Sequence, residues 1–256
     1  MTPADPLRFA IGTYTRVPVA SPATVDAPVV GRGLALGPLV GAALALASGA
    51  LLLVTGVDLI ARVLSAVLVV ALAAWLTRGL HWDGLADTAD GLGSAAPPEQ
   101  ARAIMRRSDI GPFGVLTLVL TILVQALSLA QLPAGSAALA GWVLAVTLGR
   151  LAAAMACGPW FGPARRDGLG AVAIGSVTPR RLGLAVALTA VVAVAAALAG
   201  PLPAGRTLIG CTVAAVLVAV GLGLVARRRL GGSTGDVLGA TVELSTTGAL
   251  LVLALG

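Results

Sequence analysis

The sequence predicts an all-α integral membrane protein: a polytopic bundle of about seven transmembrane helices with a cytoplasmic N-terminus. Three observations predict it. Of the 256 residues, 58% are hydrophobic and only 11% are charged, whereas soluble domains average about a quarter charged; the mean hydropathy is +0.99. The apolar residues fall into seven runs of roughly 20, the length that crosses a hydrocarbon core about 30 Å thick. The arginines alternate between successive connections, as the positive-inside rule requires.

The first 33 residues carry Asp5, Asp26 and several prolines but no continuous apolar run. They do not read as a signal peptide and are expected to be a cytoplasmic lead-in with one amphipathic stretch. Residues 34–256 are expected to form the transmembrane catalytic domain. Its spans read as Leu34–Gly56, Leu59–Leu76, Phe113–Leu132, Ala137–Cys157, Leu182–Gly200, Thr207–Ala226 and Val237–Leu255. Alanine and glycine are frequent in many of them, which lets helices approach closely in lipid.

Every basic side chain is an arginine. Arg8, Arg16 and Arg32 precede the first span. Arg78, Arg102, Arg106 and Arg107 follow the second, Arg165, Arg166, Arg180 and Arg181 the fourth, and Arg227, Arg228 and Arg229 the sixth. The alternate connections hold only Arg206. The cytoplasmic loops are therefore expected at 77–112, 158–181 and 227–236, with the C-terminus outside. This sidedness accounts for the net charge of +6, so no nucleic-acid partner is predicted. Cys157 and Cys211 lie in apolar runs and read as small buried hydrophobes. With one histidine, no spacing suits zinc.

Acids are not governed by the sidedness rule, yet they cluster on the cytoplasmic side. In "HWDGLADTADG" Asp83, Asp87 and Asp90 stand at i, i+4 and i+7, within a sector of about 60° on a helix. Like charges so placed repel by roughly 0.2–0.5 kcal/mol per pair on an exposed helix. A divalent cation is the simplest compensation, and Mg²⁺ binds through carboxylates while completing its shell with water and substrate phosphate. Gly84 and Gly91 would leave room for a phosphorylated ligand. Asp236 and Glu243 are spaced i and i+7. Glu243, inside an apolar run, either faces a polar bundle interior or is protonated and bonded to a neighbouring helix. Arg102 and Arg106, one turn apart, and Arg150 are candidates for holding phosphates. Arg62 would snorkel or pair with Asp58. His81 could serve as a general base, but it projects about 160° away from Asp83, which disfavours it for the metal site, and packing or hydrogen bonding is the preferred role.

"GLHWDGLADTADG" (79–91), "IMRRSDIGPFGV" (104–115) and "TGDVLGATVELS" (234–245) resemble the signatures of the cobalamin synthase (adenosylcobinamide-GDP ribazoletransferase) family. "TRVP" (15–18) and "RRDGLGA" (165–171) are similar to its N-terminal and central motifs. The resemblance covers nearly the whole chain. It implies a bacterial inner-membrane enzyme with a cytoplasmic active face and substrates adenosylcobinamide-GDP and α-ribazole. A ribose hydroxyl of α-ribazole, or of its 5′-phosphate, would attack the cobinamide-side phosphate; GMP would leave, and adenosylcobalamin or its 5′-phosphate would form. Asp83, Asp87 and Asp90 would hold Mg²⁺. Asp236 and Glu243 would complete the site or accept the hydroxyl proton. Arg102, Arg106, Arg150 and Arg165 would bind substrate. Pathway logic adds association with other corrin-assembly enzymes.

One motif departs from the family pattern. Where the family reads more like "MKDSRIG", Met105 is followed by Arg106, Arg107, Ser108 and Asp109. An acid and a base have exchanged places, a swap that preserves an ion pair.

The rival readings are a CDP-alcohol phosphotransferase, an aspartate-rich prenyltransferase and a membrane transporter. The first wants D-G-x2-A-R, and "DGLAD" lacks the arginine. The second wants a second aspartate-rich motif. A transporter would place its acids near the bilayer midplane, where only Glu243 falls.

Overall fold

The computed structural model describes residues 2–201 and 205–256, without the side chain of Arg206. Arg206, the one arginine of the alternate connections, therefore lies outside the described side chains. In chain order the helices are α1 (Asp5–Tyr14), α2 (Ala27–Gly49, extended by a 3₁₀ turn Ala50–Leu53), α3 (Leu59–Leu76), α4 (Leu80–Gly93), α5 (Pro98–Ile104) and α6 (Pro112–Gln131). They continue with α7 (Ser136–Ala156), α8 (Gly168–Ala173), α9 (Pro179–Ala199), α10 (Gly205–Arg229) and α11 (Gly235–Leu255). Among the described residues, seven helices are long and apolar enough to cross a membrane: α2, α3, α6, α7, α9, α10 and α11.

Local chemistry explains the boundaries. Asp26, Asp58, Thr178 and Thr234 each accept a hydrogen bond from a first-turn N–H of the helix that follows. Prolines stand in the first turns of α2, α5, α6 and α9, where a missing N–H does no harm. The expected start of the first span at Leu34 is corrected to Ala27, because Asp26 caps the helix through Val29 N at 2.9 Å. Asp58 is likewise engaged as a cap, through Ala61 N. Arg62 does not pair with it and instead donates to Leu132 O at 2.8 Å.

α7 is the central helix, buried along almost its whole length between α2, α9, α10 and α11. Small residues permit this. A Cβ at Gly49 would stand 2.8 Å from Trp142 Cδ1, and one at Gly149 would meet Val242 O at 2.7 Å. Trp142 Nε1 donates to Ser48 Oγ across the same contact. α3 shows the opposite pattern. Ile60, Leu64, Leu68 and Leu72 are exposed along it, as expected of a lipid-facing helix.

The expected cytoplasmic loops contain helices of their own, most of all the first. Segment 77–112 contains α4 and α5. α4 buries His81, Trp82, Leu85 and Ala86 against the bundle, packing chiefly on α11 and α6. Arg227–Arg229 form the last turn of α10, where positive charge complements the helix dipole. The expected amphipathic stretch is α1. Its Phe9, Ala10 and Tyr14 cluster with Val29, Val30 and Leu34 at the start of α2. Arg78 Nη2 donates to Gly12 O, and Arg16 stacks 3.8 Å over the Trp75 ring, fastening α1 beside the end of α3.

Candidate active site

One cavity of about 330 Å³ opens at the arginine-rich end of the bundle. Its walls come from α1, the first half of α2, α4, the last turn of α7, α8 and the start of α11. The apolar side is lined by Phe9, Tyr14, Leu34, Leu238 and Val242, the polar side by Asp83, Asp236, Arg165, Asp167 and Thr234. Its volume is near the lower bound of the ~300–1,000 Å³ typical of small-molecule sites.

The polar wall depends on a close helix crossing. A Cβ at Gly84 would lie 2.8 Å from Asp236 O and 2.9 Å from its Cα; one at Gly239 would lie 3.2 Å from His81 Cα and O. With no side chains between them, α4 and α11 touch backbone to backbone, and Asp236 arrives beside Asp83 and Asp87. Gly84 therefore shapes the site from behind, without a place in the cavity wall.

The three aspartates of α4 do share a face, as the spacing predicts, but they do not share an environment. Asp83 is exposed on the cavity, Asp87 is half-buried and Asp90 is buried. Seven residues are two helical turns, a rise of about 10.5 Å, so a common face is not a common point. Burial, and then the negative charges of Asp83, Asp236 and Asp90, push the Asp87 carboxyl up to about 7. Among the described residues, no three His, Cys, Asp or Glu side chains converge as a metal cluster. The donor set still suits an ion such as Mg²⁺. Asp83 and Asp87 stand one turn apart with Asp236 beside them, and this ion takes one or two carboxylates and fills its shell with water and phosphate.

Asp90 has a different engagement from the one the spacing suggested. Its carboxylate accepts from Gly111 N at 2.7 Å and Gly114 N at 2.8 Å, capping α6 from a neighbouring helix. Asp90→Ala strands one buried donor, Gly114 N, and one part-buried donor, Gly111 N, and is expected to destabilise the protein by about 2 kcal/mol, read as a lower Tm. Asp90→Asn keeps an acceptor and is expected to retain most activity. Activity as low as that of an Asp83 variant would instead make Asp90 a ligand-binding group.

The remaining candidates separate in the same way. A Cβ at Gly91 would strike Met105 and Ala101 O, so Gly91 seats α5 and does not line the cavity. Arg102 Nη1 donates to Leu230 O at 2.5 Å, tying α5 to the end of α10. Arg106 is exposed and contributes a positive charge near Asp167. Arg107 pairs with Asp109 at 3.2 Å, so the swapped motif does carry an ion pair. Of the four arginines proposed to hold substrate, only Arg165 lines the cavity. It grips Asp167 through two hydrogen bonds of 3.1 and 2.8 Å, and this contact holds the Asp167 carboxyl below its usual range.

Arg150 and Glu243 lie deeper, on a second, very small cavity that also touches Gln125, Trp142 and Thr246. Arg150 is 3% exposed and its Nε has no hydrogen-bond partner. The placement near the cytoplasmic end was expected to give Arg150 access to phosphate, but α2 and Tyr14 cover it: a Cβ at Gly41 would be 2.9 Å from its Cδ. Glu243 Oε2 accepts from Gln125 Nε2 at 3.1 Å. Two turns along α11 separate it from Asp236, so the two acids serve different cavities.

The sequence offers His81 as a general base but favours packing or hydrogen bonding, and spacing alone gives it no place beside the aspartates. It lines the larger cavity, its Nδ1 stands 3.9 Å from Glu243 Oε1, and the Tyr14 ring lies 5.7 Å away. Burial, reinforced by the Arg150 charge, pushes the imidazole down to about 3, so it is neutral near pH 7. The only signal in the sequence was that the lone histidine sits two residues before Asp83.

The family model described as Cobalamin-5-phosphate synthase matches residues 6–254. An adenosylcobinamide-GDP ribazoletransferase from Frankia casuarinae is 38% identical, over 97% of this chain and 94% of its own length. One from Nocardioides sp. is 39% identical over 98% of both chains, and one from Citrobacter koseri 38% identical over 87% of both. No solved structure matches the chain. With the family model spanning the bundle from α1 to the end of α11, the chain belongs to the cobalamin-5-phosphate synthase family.

Proposed function

We propose that the protein is an Mg²⁺-dependent adenosylcobinamide-GDP ribazoletransferase of the bacterial cytoplasmic membrane, with its N-terminus and active face cytoplasmic. Its relatives' names supply the reaction. One observation carries the reading onto this chain: Asp83 and Asp236 line a nucleoside-sized cavity at the arginine-rich end of the bundle, with half-buried Asp87 one turn along from Asp83 and within reach of both charges. A ribose hydroxyl of α-ribazole, or of its 5′-phosphate, attacks the cobinamide-side phosphorus. The new O–P bond forms as the bridging P–O bond breaks, and GMP departs with that oxygen's electron pair. When bound, Mg²⁺ neutralises charge building on the diphosphate. Asp83, Asp87 and Asp236 would hold it. Arg165 is the candidate clamp for a phosphate oxygen, released from Asp167 when substrate arrives. The apolar wall of Phe9, Leu34 and Leu238 receives the flat base and excludes water.

Purified protein given adenosylcobinamide-GDP and α-ribazole is expected to release GMP and a corrin product only with Mg²⁺ present. Product formed equally well in a chelator would remove the metal from the mechanism. Sidedness has its own check. Both native cysteines are buried, so a cysteine introduced at Ala95 should label only after the inner membrane is permeabilised. One at Gly56 should label in intact cells. The reverse pattern would invert the topology.

A further inference from the structure

His81 is where the cavity meets the buried polar cluster. It lines the cavity with Asp83 and Asp236 yet is only 4% exposed. Its Nδ1 faces Glu243 Oε1 at 3.9 Å and has no hydrogen-bond partner. Glu243 is itself fixed: Oε2 accepts from Gln125 Nε2, which also reaches Thr247 Oγ1 at 3.0 Å. Tyr14 of α1 bounds the imidazole on another side. The charged and titratable groups around the ring are thus Glu243 of α11, Arg150 of α7, Tyr14 of α1 and Asp83 of its own helix. With Nδ1 turned to the carboxylate, Nε2 is the nitrogen left for the cavity. A buried carboxylate behind an imidazole whose far nitrogen meets the substrate space is the arrangement by which proteins activate hydroxyl groups. A separation somewhat beyond hydrogen-bond length is common before substrate closes such a site.

We propose that His81 is the general base of the transferase, taking the proton of the attacking ribose hydroxyl on Nε2, and that Glu243 is the positioning residue behind it. The assignment rests on the transferase reading above. As the ribose oxygen bonds to phosphorus and GMP leaves, the proton passes to Nε2. Glu243 holds Nδ1–H and stabilises the imidazolium, and the proton then leaves to water at the cavity mouth. This division of labour leaves Asp83, Asp87 and Asp236 free to hold the cation, and it gives a reason for a carboxylate inside a membrane helix.

The test uses the full-length protein in lipid, following GMP release and α-ribazole binding in parallel. His81→Ala is expected to lower kcat by about 10²–10⁴-fold with KM for both substrates nearly unchanged, and added imidazole should restore part of the lost rate. Glu243→Gln is expected to lose about 10–100-fold without rescue by imidazole, and Glu243→Asp to recover part of it. His81→Gln, closer in shape, supplies the same comparison if the alanine variant does not fold. A His81→Gln enzyme within tenfold of wild type in kcat would overturn the proposal. So would a folded, substrate-binding His81→Ala enzyme that imidazole cannot rescue, since that is the behaviour of a packing residue. Wild-type protein that releases no GMP would instead overturn the transferase reading itself.

Discussion

Asp83→Asn is expected to lower turnover by about 10³-fold, because in the proposed site the charge it removes is one of those that would hold the cation against the diphosphate. Loss of several kcal/mol of transition-state charge stabilisation corresponds to that factor at 1.36 kcal/mol per decade. The substitution is nearly isosteric, and Asp83 is exposed on the cavity, so the bundle itself should be untouched. Two thermal measurements separate this from a folding defect. Without metal, removing one of several clustered negative charges should leave Tm unchanged or slightly raised. With metal, wild type should gain stability by linkage, and the variant should gain much less. Asp87→Asn should act in the same direction. An Asp83→Asn protein that retains both its activity and its Mg²⁺-dependent rise in Tm would refute the carboxylate site.

Gly84→Val is expected to lower kcat by about 10²-fold without touching any side chain in the cavity. The added Cβ would fall 2.8 Å from Asp236 O and 2.9 Å from Asp236 Cα, and backbone atoms cannot swing aside as a flexible side chain can. α4 must therefore move off α11, carrying Asp83, Asp87 and His81 away from Asp236 and Glu243. A misplacement of about 1 Å at a reacting centre carries a penalty of that size. The spans that insert the protein are elsewhere, so yield in the membrane should be retained. Gly183→Ala, on α9 where a Cβ meets nothing within 4 Å, is the control and should behave as wild type. Wild-type turnover in Gly84→Val would mean that the crossing does not set the site.

The outcome for each element follows from what periodicity encodes. Seven spans, most ends within a few residues, and the arginine-rich connections were legible because hydrophobic length and charge are one-dimensional properties. The helix over Asp83–Asp90 was legible too, since i, i+4, i+7 spacing needs only its own segment. Spacing alone could not give depth. Asp83 and Asp90 share a face but stand two turns apart, and whichever helix passes alongside decides what each one meets. Asp90 therefore serves the N-terminus of α6 and Asp83 the cavity. Asp236 and Glu243 divide in the same way between two cavities.

By itself, then, the sequence determined the membrane class, the spans and a concentration of carboxylates and arginines at one end, and its motifs resembled the right family. Only the tertiary structure decided which of those groups meet. α1 folds back to wall the cavity, Gly84 and Gly239 bring α4 onto α11, and Arg150 is shut beneath Tyr14. The physical reason is that hydrophobicity and charge act along each helix separately. Convergence of side chains depends on how closely two helices approach, and that is set by contacts between residues far apart in the chain.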